Sequence, residues 1–168
     1  ADSYISLETA FERVPASTGF NIEVKYPNNI KEKQDSLRVP PRNMLVDKVL
    51  DVVFRCGKGR HLLFSSFDPA ICTLLAAKQV AYPVFFLTTA GQQLYADPRK
   101  NSLRQAIHFA KSAGLFGIVS EASVLIRCPR LITEVRAAGL MLCTYGAVNN
   151  QAEAVRIQKR FGVAAVIA

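Results

Sequence analysis

The sequence predicts an α/β fold built on a parallel β-sheet. Six short segments rich in β-branched and aromatic residues recur along the 168-residue chain, and helix-like stretches lie between them. Each segment is almost uniformly apolar, which is typical of strands buried on both faces of a parallel sheet. The predicted strands are 20–26, 61–66, 83–89, 116–120, 140–146 and 163–168.

Local signals place the first helices. Ser6 is an N-cap candidate for a helix within residues 6–15, and a polar loop after the first strand leads to a helix over 43–56. Asp68 followed by Pro69 is typical of an N-cap with proline at the first helical position. We therefore expect Asp68 to begin the third helix.

Similar signals mark the later helices. Ser102 precedes apolar residues at helical spacing, so we expect it to cap a helix. After the strand 116–120 we expect a short helical turn and then a second helix beginning near Pro129. Gly162 is placed to end the helix predicted for 151–162, because glycine readily adopts the left-handed conformation of a C-cap.

Two architectures accommodate these elements: an open doubly wound sheet, or part of a closed (β/α)8 barrel of the TIM type. No glycine-rich phosphate loop follows a predicted strand, so the sequence shows no dinucleotide-binding fingerprint. The short links Ala113–Gly114 and Ala138–Gly139 favour the regular units of a barrel. Because about six units do not close such a barrel, we expect residues 1–168 to be a partial barrel domain without the first two strands.

The chain carries a formal net charge of +8, in basic residues scattered singly or in short groups such as Lys58 with Arg60. Aromatic residues do not interleave with these charges, so we expect solvated surfaces and no nucleic-acid interface. No apolar run approaches the roughly 20 residues that a transmembrane helix needs, and the N-terminus shows no signal-peptide pattern. The sequence therefore predicts a soluble protein.

The four cysteines form no CxxC pair and lie in apolar or helical segments. Zinc binding and disulfide formation are alternatives, but buried free thiols in a reducing compartment are favoured. We therefore expect a cytoplasmic protein. The four residues are Cys56, Cys72, Cys128 and Cys143.

The first predicted strand, 20–26, alternates apolar and polar side chains. Asn21, Glu23 and Lys25 fall on the same face. A carboxylate and an ammonium group on a buried face have to pair or to bind something. They indicate either a Glu–Lys pair that braces a barrel interior, or a site in which Glu23 binds a hard metal ion and Lys25 binds phosphate. The alternation fits both.

Several segments, in the same order, resemble the glycerophosphodiester phosphodiesterase family. GFNIEVKYP (19–27) is similar to the strand that carries the family's Glu-Ile-Lys motif. LLFSSFDPAICTLLAAKQ (62–79) resembles the fourth strand and its helix, and YPVFFLTTAG (82–91) resembles the fifth strand. Residues 128–167 resemble the seventh unit and the eighth strand. Taken together, the matching segments are most similar to the eukaryotic cytosolic branch associated with glycerophosphocholine.

The resemblance implies roles for five residues of a metal-dependent hydrolase. Glu23 would bind a divalent cation, Mg²⁺ or Ca²⁺, and Lys25 would meet the substrate phosphate. Ser65 and Phe67 match the Ser-Ser-Phe motif at the barrel mouth, and Tyr145 takes the place of an aromatic residue over the substrate. Glycerophosphodiesters are the implied small-molecule substrates, with glycerophosphocholine giving glycerol 3-phosphate and choline.

The sequence also departs from the family pattern. The His-Arg-Gly motif of the first strand, and the Glu-x-Asp and His-Asp motifs of the second, do not occur in it. His61 is expected at the end of its strand opposite the site, and His108 in the middle of a helix, so neither replaces the family's catalytic histidines. We therefore assign no catalytic residue and expect the chain alone to be inactive. Asp68 is expected only as an N-cap, and Glu121 as a carboxylate near the mouth without a matching motif.

An alternative function is a non-catalytic, degenerate barrel that binds phosphate-bearing ligands. In either case the open edges of a partial barrel predict self-association or further domains upstream in the same protein.

Overall fold

A computed structural model describes residues 4–27, 39–57 and 59–168. It contains a six-stranded, all-parallel sheet in which each strand lies beside the next strand in sequence. The sheet curls into part of a barrel, so the predicted α/β barrel fold is confirmed. The strands are β1 Phe20–Glu23, β2 Leu62–Ser66, β3 Val84–Thr88, β4 Gly117–Glu121, β5 Met141–Tyr145 and β6 Ala165–Val166.

Helices connect the strands along the chain. Short 3-10 turns at Pro98–Lys100 and Ala147–Asn150 precede two of them. Within the described residues the helices are α1 Leu7–Arg13, α2 Arg42–Cys56, α3 Pro69–Lys78, α4 Leu103–Ser112, α5 Ala122–Arg127, α6 Arg130–Ala137 and α7 Ala152–Phe161.

The predicted helix ends are confirmed at four positions. The side chains of Ser6, Asp68 and Ser102 each accept a hydrogen bond from a backbone N–H in the first turn of the following helix. Gly162 ends α7 with φ of 91°, a left-handed conformation that glycine adopts without a steric penalty. Capping residues in the sequence therefore set the helix boundaries.

All six predicted strands form, but the two at the edges of the sheet are shorter than expected. Strand β1 ends at Glu23, and β6 consists of Ala165–Val166. Each edge strand pairs with a single neighbour, β2 or β5, so half of its backbone groups receive no support from the sheet. The polar loop predicted after β1 falls largely within 28–38, outside the described residues.

The two faces of the sheet carry different cores. The outer face packs against the helices in a large cluster that includes Phe64, Phe86 and Ile118. The inner face carries a smaller cluster of buried residues, with Leu63, Phe67 and Tyr145 packed against it. These buried inner residues are Phe85, Leu87, Val119 and Cys143. Apolar side chains on both faces explain the nearly uniform apolarity of the central strands.

A buried polar network holds the short last strand in place. The Thr144 hydroxyl donates to Gln158 Oε1, and Gln158 Nε2 donates to Asn149 Oδ1 at 2.9 Å. Asn149 Nδ2 in turn donates to the carbonyl of Ile167 at 2.8 Å. The network therefore connects β5 and α7 to the residue that follows β6.

Arg60 is not on the solvated surface that its charge predicted. It is only 8% exposed, in the link between α2 and β2, so the expectation for this residue is wrong. Its neighbour Lys58 lies outside the described residues.

The Arg60 guanidinium is buried because it satisfies carbonyl groups at the end of α1 and in the loop that follows. Its Nη2 donates to Phe11 O at 3.2 Å and to Val14 O at 3.0 Å. Its Nη1 donates to Thr18 O at 2.9 Å and also to Pro15 O. One cation thus fixes α1 against the amino-terminal side of the sheet, where positive charge also complements the helix dipole.

The cysteines follow the prediction in part. Cys72 and Cys143 are buried, Cys56 is half-buried, and all four are free thiols. Burial raises the pKa of the Cys72 thiol well above its ordinary value. Cys128 is exposed, so the expectation of burial is wrong there: it lies between α5 and α6, where the chain leaves the core.

None of the helices in the described part of the chain is both long enough and apolar enough to span a lipid bilayer.

We expect Arg60→Met to lower the free energy of unfolding by about 2–4 kcal/mol, because it removes a buried cation from four carbonyl acceptors. Urea denaturation measures this change. Arg104→Met, at an exposed position on α4, is the matched control and should change stability by less than about 0.5 kcal/mol. Equal effects of the two substitutions would show that the Arg60 contacts do not stabilise the fold.

Candidate active site at the carboxyl ends of the strands

The parallel sheet brings the carboxyl ends of its strands to one edge. Glu23 at the end of β1 lies in register with Ser65 on β2, and Glu121 at the end of β4 lies in register with Tyr145 on β5. Residues in register on parallel strands point to the same face of the sheet. The end of each strand therefore adds a side chain to a common surface.

The predicted alternation continues through Glu23, the last residue of β1, to Lys25, two residues beyond it. Both are exposed, whereas Val24 between them is 4% exposed. Lys25 Nζ lies 3.9 Å from Glu23 Oε1, and the lysine side chain is 80% exposed. A contact this long and this solvated contributes little to stability, so the bracing interpretation has weak support.

Ser65 and Ser66 point to opposite faces of β2. Both are fully buried. The Ser65 hydroxyl faces the inner side and donates to Asn21 Oδ1 at 2.8 Å, which fixes a polar neighbour of Glu23 on β1. The Ser66 hydroxyl donates to the carbonyl of Val24 at 2.6 Å and so ties β1 to β2 from the outer side. The predicted contact of Ser65 with substrate stays a prediction.

Phe67 and Tyr145 form an aromatic pair across the inner face. Their ring centroids are 5.9 Å apart and the rings are nearly perpendicular, at 89°. The Tyr145 hydroxyl donates a long hydrogen bond of 3.4 Å to the carbonyl of Thr88. Both side chains are half-buried, so part of each ring faces the opening. The structure thus brings together two residues that are distant in sequence and were predicted to lie at the mouth.

The surroundings of the Tyr145 hydroxyl disfavour its ionisation. Burial raises the pKa of Tyr145, and the nearby Glu121, Tyr95 and Glu23 raise it further. The phenol therefore stays protonated at neutral pH and acts as a hydrogen-bond donor.

Glu121 is more firmly held than its sequence context indicated. Its Oε2 accepts hydrogen bonds from the Ser123 backbone N–H at 2.8 Å and from the Ser123 hydroxyl at 2.6 Å. Gln92, in the loop after β3, also donates to this oxygen. The position of Glu121 at the carboxyl end of an apolar strand indicated that it lies near the mouth. The sequence did not predict its contact with Gln92, which comes from a separate loop.

Asp68 has the structural role that was expected. Its Oδ1 accepts the backbone N–H of Ile71 at 3.0 Å at the start of α3. Its Oδ2 accepts hydrogen bonds from Arg42 Nε and Nη2 at 3.0 and 2.9 Å. Two sets of donors therefore occupy this carboxylate.

The histidines lie away from the site, as predicted. His61 directly precedes β2, at the amino end of the sheet, and its side chain is exposed. His108 lies within α4 and is also exposed. Neither is placed to transfer a proton at the carboxyl edge.

The described residues do not form a metal site by themselves. They include no group of three or more His, Cys, Asp or Glu side chains that could hold an ion. Mg²⁺ and Ca²⁺ require several oxygen ligands, and the Glu23 carboxylate supplies at most two. The residues of this part of the chain therefore fit one ligand of a cation site and not a complete one.

Comparison with known proteins identifies the family. The profile of the glycerophosphoryl diester phosphodiesterase family matches residues 2–168. The chain belongs to this family. The resemblance inferred from the motifs is thereby confirmed.

Relatives of this chain include a fungal and a plant protein. A glycerophosphocholine phosphodiesterase of Candida albicans is 43% identical over 170 residues, which cover 99% of this chain and 15% of that protein. A chloroplastic glycerophosphodiester phosphodiesterase of Arabidopsis thaliana is 42% identical over 167 residues, covering 99% of this chain and 45% of that protein. The chain thus spans less than half the length of either relative.

A solved structure agrees with the fold. The glycerophosphodiester phosphodiesterase of Thermotoga maritima superposes with a TM-score of 0.62 at 19% sequence identity, covering 97% of this chain and 59% of that one. The six strand–helix units of this chain therefore correspond to part of the larger barrel of that protein.

Two substitutions separate the bracing interpretation from the site interpretation. Glu23→Gln and Lys25→Gln should each change the free energy of unfolding by less than about 0.5 kcal/mol, because their contact is long and solvated. Ser66→Ala removes the buried hydrogen bond to Val24 O and the bond that the hydroxyl accepts from the Asp68 N–H, and should cost about 1–2 kcal/mol in the same urea titration. A loss from Lys25→Gln as large as that from Ser66→Ala would restore the bracing interpretation.

Proposed function

We propose that the protein containing this chain hydrolyses glycerophosphodiesters, with glycerophosphocholine as the favoured substrate. The observation that carries the proposal is the convergence of Glu23, Lys25, Phe67 and Tyr145 at the carboxyl edge of a barrel sheet in a member of this family. The names of its fungal relatives support the choice of glycerophosphocholine. The products would be glycerol 3-phosphate and choline.

Lys25 would bind the phosphodiester. Its ammonium group is exposed beyond the end of β1, and the Glu23 carboxylate at 3.9 Å holds it only weakly. An ammonium group in this setting can turn toward a phosphoryl oxygen without breaking a strong ion pair. Its positive charge would stabilise the negative charge of the phosphate as the reaction proceeds.

Glu23 would contribute one oxygen ligand to a divalent cation, Mg²⁺ or Ca²⁺. The carboxylate is exposed at the edge of the sheet, where further ligands can approach it. Since the described residues hold no complete cation site, the other ligands would come from elsewhere in the protein.

The aromatic pair and Ser65 would shape the rest of the substrate site. Phe67 and Tyr145 present apolar surface to the carbon skeleton of the substrate, and the protonated Tyr145 hydroxyl offers a hydrogen-bond donor. Ser65 would act close to the substrate together with Asn21, to which it donates.

We further propose that this chain alone does not catalyse hydrolysis. His61 and His108 are exposed at positions away from the carboxyl edge. Expulsion of an alcohol needs a proton donor within hydrogen-bond reach of the leaving oxygen, and neither imidazole meets that requirement.

A second candidate function is binding of phosphate-bearing ligands without hydrolysis. The observation that favours it is the incomplete set of metal and proton-transfer groups in the described residues, beside an exposed Lys25. This candidate predicts a measurable affinity for glycerol 3-phosphate in a protein that shows no turnover.

The proposed setting is the cytoplasm, with contacts to further parts of the same protein. Free thiols at Cys72 and Cys143 are compatible with a reducing compartment. Strands β1 and β6 pair with only one neighbour each among the described strands, so each offers an edge to another strand of the same protein or to a second copy. A nucleic-acid partner is not part of the proposal.

Lys25→Gln in the natural protein should lower kcat/KM for glycerophosphocholine by about 100-fold, since it removes the positive charge nearest the phosphate. Release of choline measures the rate. Lys111→Gln removes an exposed charge from α4 and serves as the matched control, with a rate within about twofold of the unmodified protein. Full activity of Lys25→Gln would exclude the proposed phosphate contact.

Removal of divalent cations with EDTA should abolish hydrolysis, and added Mg²⁺ or Ca²⁺ should restore it. Glu23→Gln should raise the cation concentration that gives half-maximal activity by about tenfold or more, because loss of even an outer-shell partner has an effect of that size. Activity that is unchanged by EDTA would contradict the proposed cation.

A further inference from the structure

We propose that Glu121, together with the rings of Phe67 and Tyr145, binds the cationic head group of the substrate and so determines head-group specificity. The inference rests on the proposed function, because it concerns the alcohol part of the same phosphodiester. The family resemblance assigned no role to Glu121, but the contacts of its carboxylate indicate one.

Glu121 has one occupied oxygen and one available oxygen. All three hydrogen bonds that its carboxylate accepts, from Gln92 Nε2 and from the backbone N–H and hydroxyl of Ser123, reach Oε2. Its Oε1 accepts no hydrogen bond from the described residues. The carboxylate is therefore held in one orientation while half of its charge remains available to a ligand.

The backbone beside Tyr145 leaves room for this carboxylate. Gly146 has φ of 116°, and a Cβ atom there would lie 2.7 Å from Glu121 Oε1. A side chain at residue 146 would thus collide with Oε1 as well as strain the backbone. The glycine permits the available oxygen to lie against the start of the segment after β5, beside Tyr145.

The Tyr145 ring lies beside the carboxylate, and the Phe67 ring packs against that ring. Glu121 and Tyr145 are partners in the register of β4 and β5, so their side chains leave the sheet on the same face. Phe67 meets the Tyr145 ring at 89°, which gives two perpendicular surfaces at one corner of the mouth. Aromatic rings at right angles beside a carboxylate form the kind of environment that binds organic cations.

The charge at this corner has the sign that a cation requires. The whole chain is basic, with a formal net charge of +8, yet the Glu121 carboxylate lies in register with Tyr145 at this corner. A quaternary ammonium group has no N–H to donate, so it is recognised through ring faces and negative charge and not through hydrogen bonds. Choline in phosphodiester linkage matches this chemistry, whereas a glycerol head group does not use it.

The test compares two substrates that differ in the charge of the head group. In the natural protein, Glu121→Gln should lower kcat/KM for glycerophosphocholine by about tenfold and change kcat/KM for glycerophosphoglycerol by less than about twofold. Glutamine retains an oxygen that accepts from Ser123, so the local fold is preserved. Glu153→Gln, on the exposed face of α7, is the matched control and should leave both values unchanged.

The outcomes distinguish this inference from the proposed function. Equal losses for the two substrates, or no loss for either, would overturn the role of Glu121 while hydrolysis by the unmodified protein still stood. An unmodified protein that hydrolyses neither substrate would instead overturn the proposed function.

A second measurement needs no variant. Tetramethylammonium chloride should inhibit hydrolysis of glycerophosphocholine by the unmodified protein competitively, and more strongly than sodium chloride at the same ionic strength. Equal effects of the two salts would show that no organic cation binds at this corner.

Discussion

The rest of the structure depends on one constraint, the parallel pairing of each of the six strands with the next strand in sequence. It brings the carboxyl ends of all six strands to one edge and covers the outer face with helices. The inner face closes around a small apolar cluster, and its polar residues lie where the strands end. Glu23 therefore lies in register with Ser65, and Glu121 with Tyr145, although the partners are distant in sequence.

Buried polar contacts keep the two edge strands of this partial sheet in position. On one side, Ser66 donates to the carbonyl of Val24, directly after β1, from the outer face, and Ser65 donates to Asn21 from the inner face. On the other side, Asn149 and Gln158 tie the residue after β6 to the preceding helix and strand. The edges carry the least sheet pairing, so these side chains supply specific contacts where backbone hydrogen bonds are fewest.

The sequence predicted the elements better than the contacts between them. Capping residues and apolar runs are local signals, and the helix that begins after Asp68 and the strand that contains Glu23 form as expected. The burial of Arg60 could not be predicted, because the carbonyl groups that accept its hydrogen bonds lie more than forty residues earlier in the chain. The orientation of Glu121 depends on Gln92, whose position is set by a loop conformation that residue spacing does not specify. Residue patterns along the chain therefore do not predict polar contacts between residues that are distant in sequence.

The central claim is that a phosphodiester binds at the carboxyl edge, with Lys25 at its phosphate. A crystal structure of the natural protein with bound sn-glycerol 3-phosphate tests it most directly. We expect the phosphate within hydrogen-bond distance of Lys25 Nζ. A phosphate bound at the opposite end of the sheet, near Arg60, or no contact with Lys25, would contradict the account.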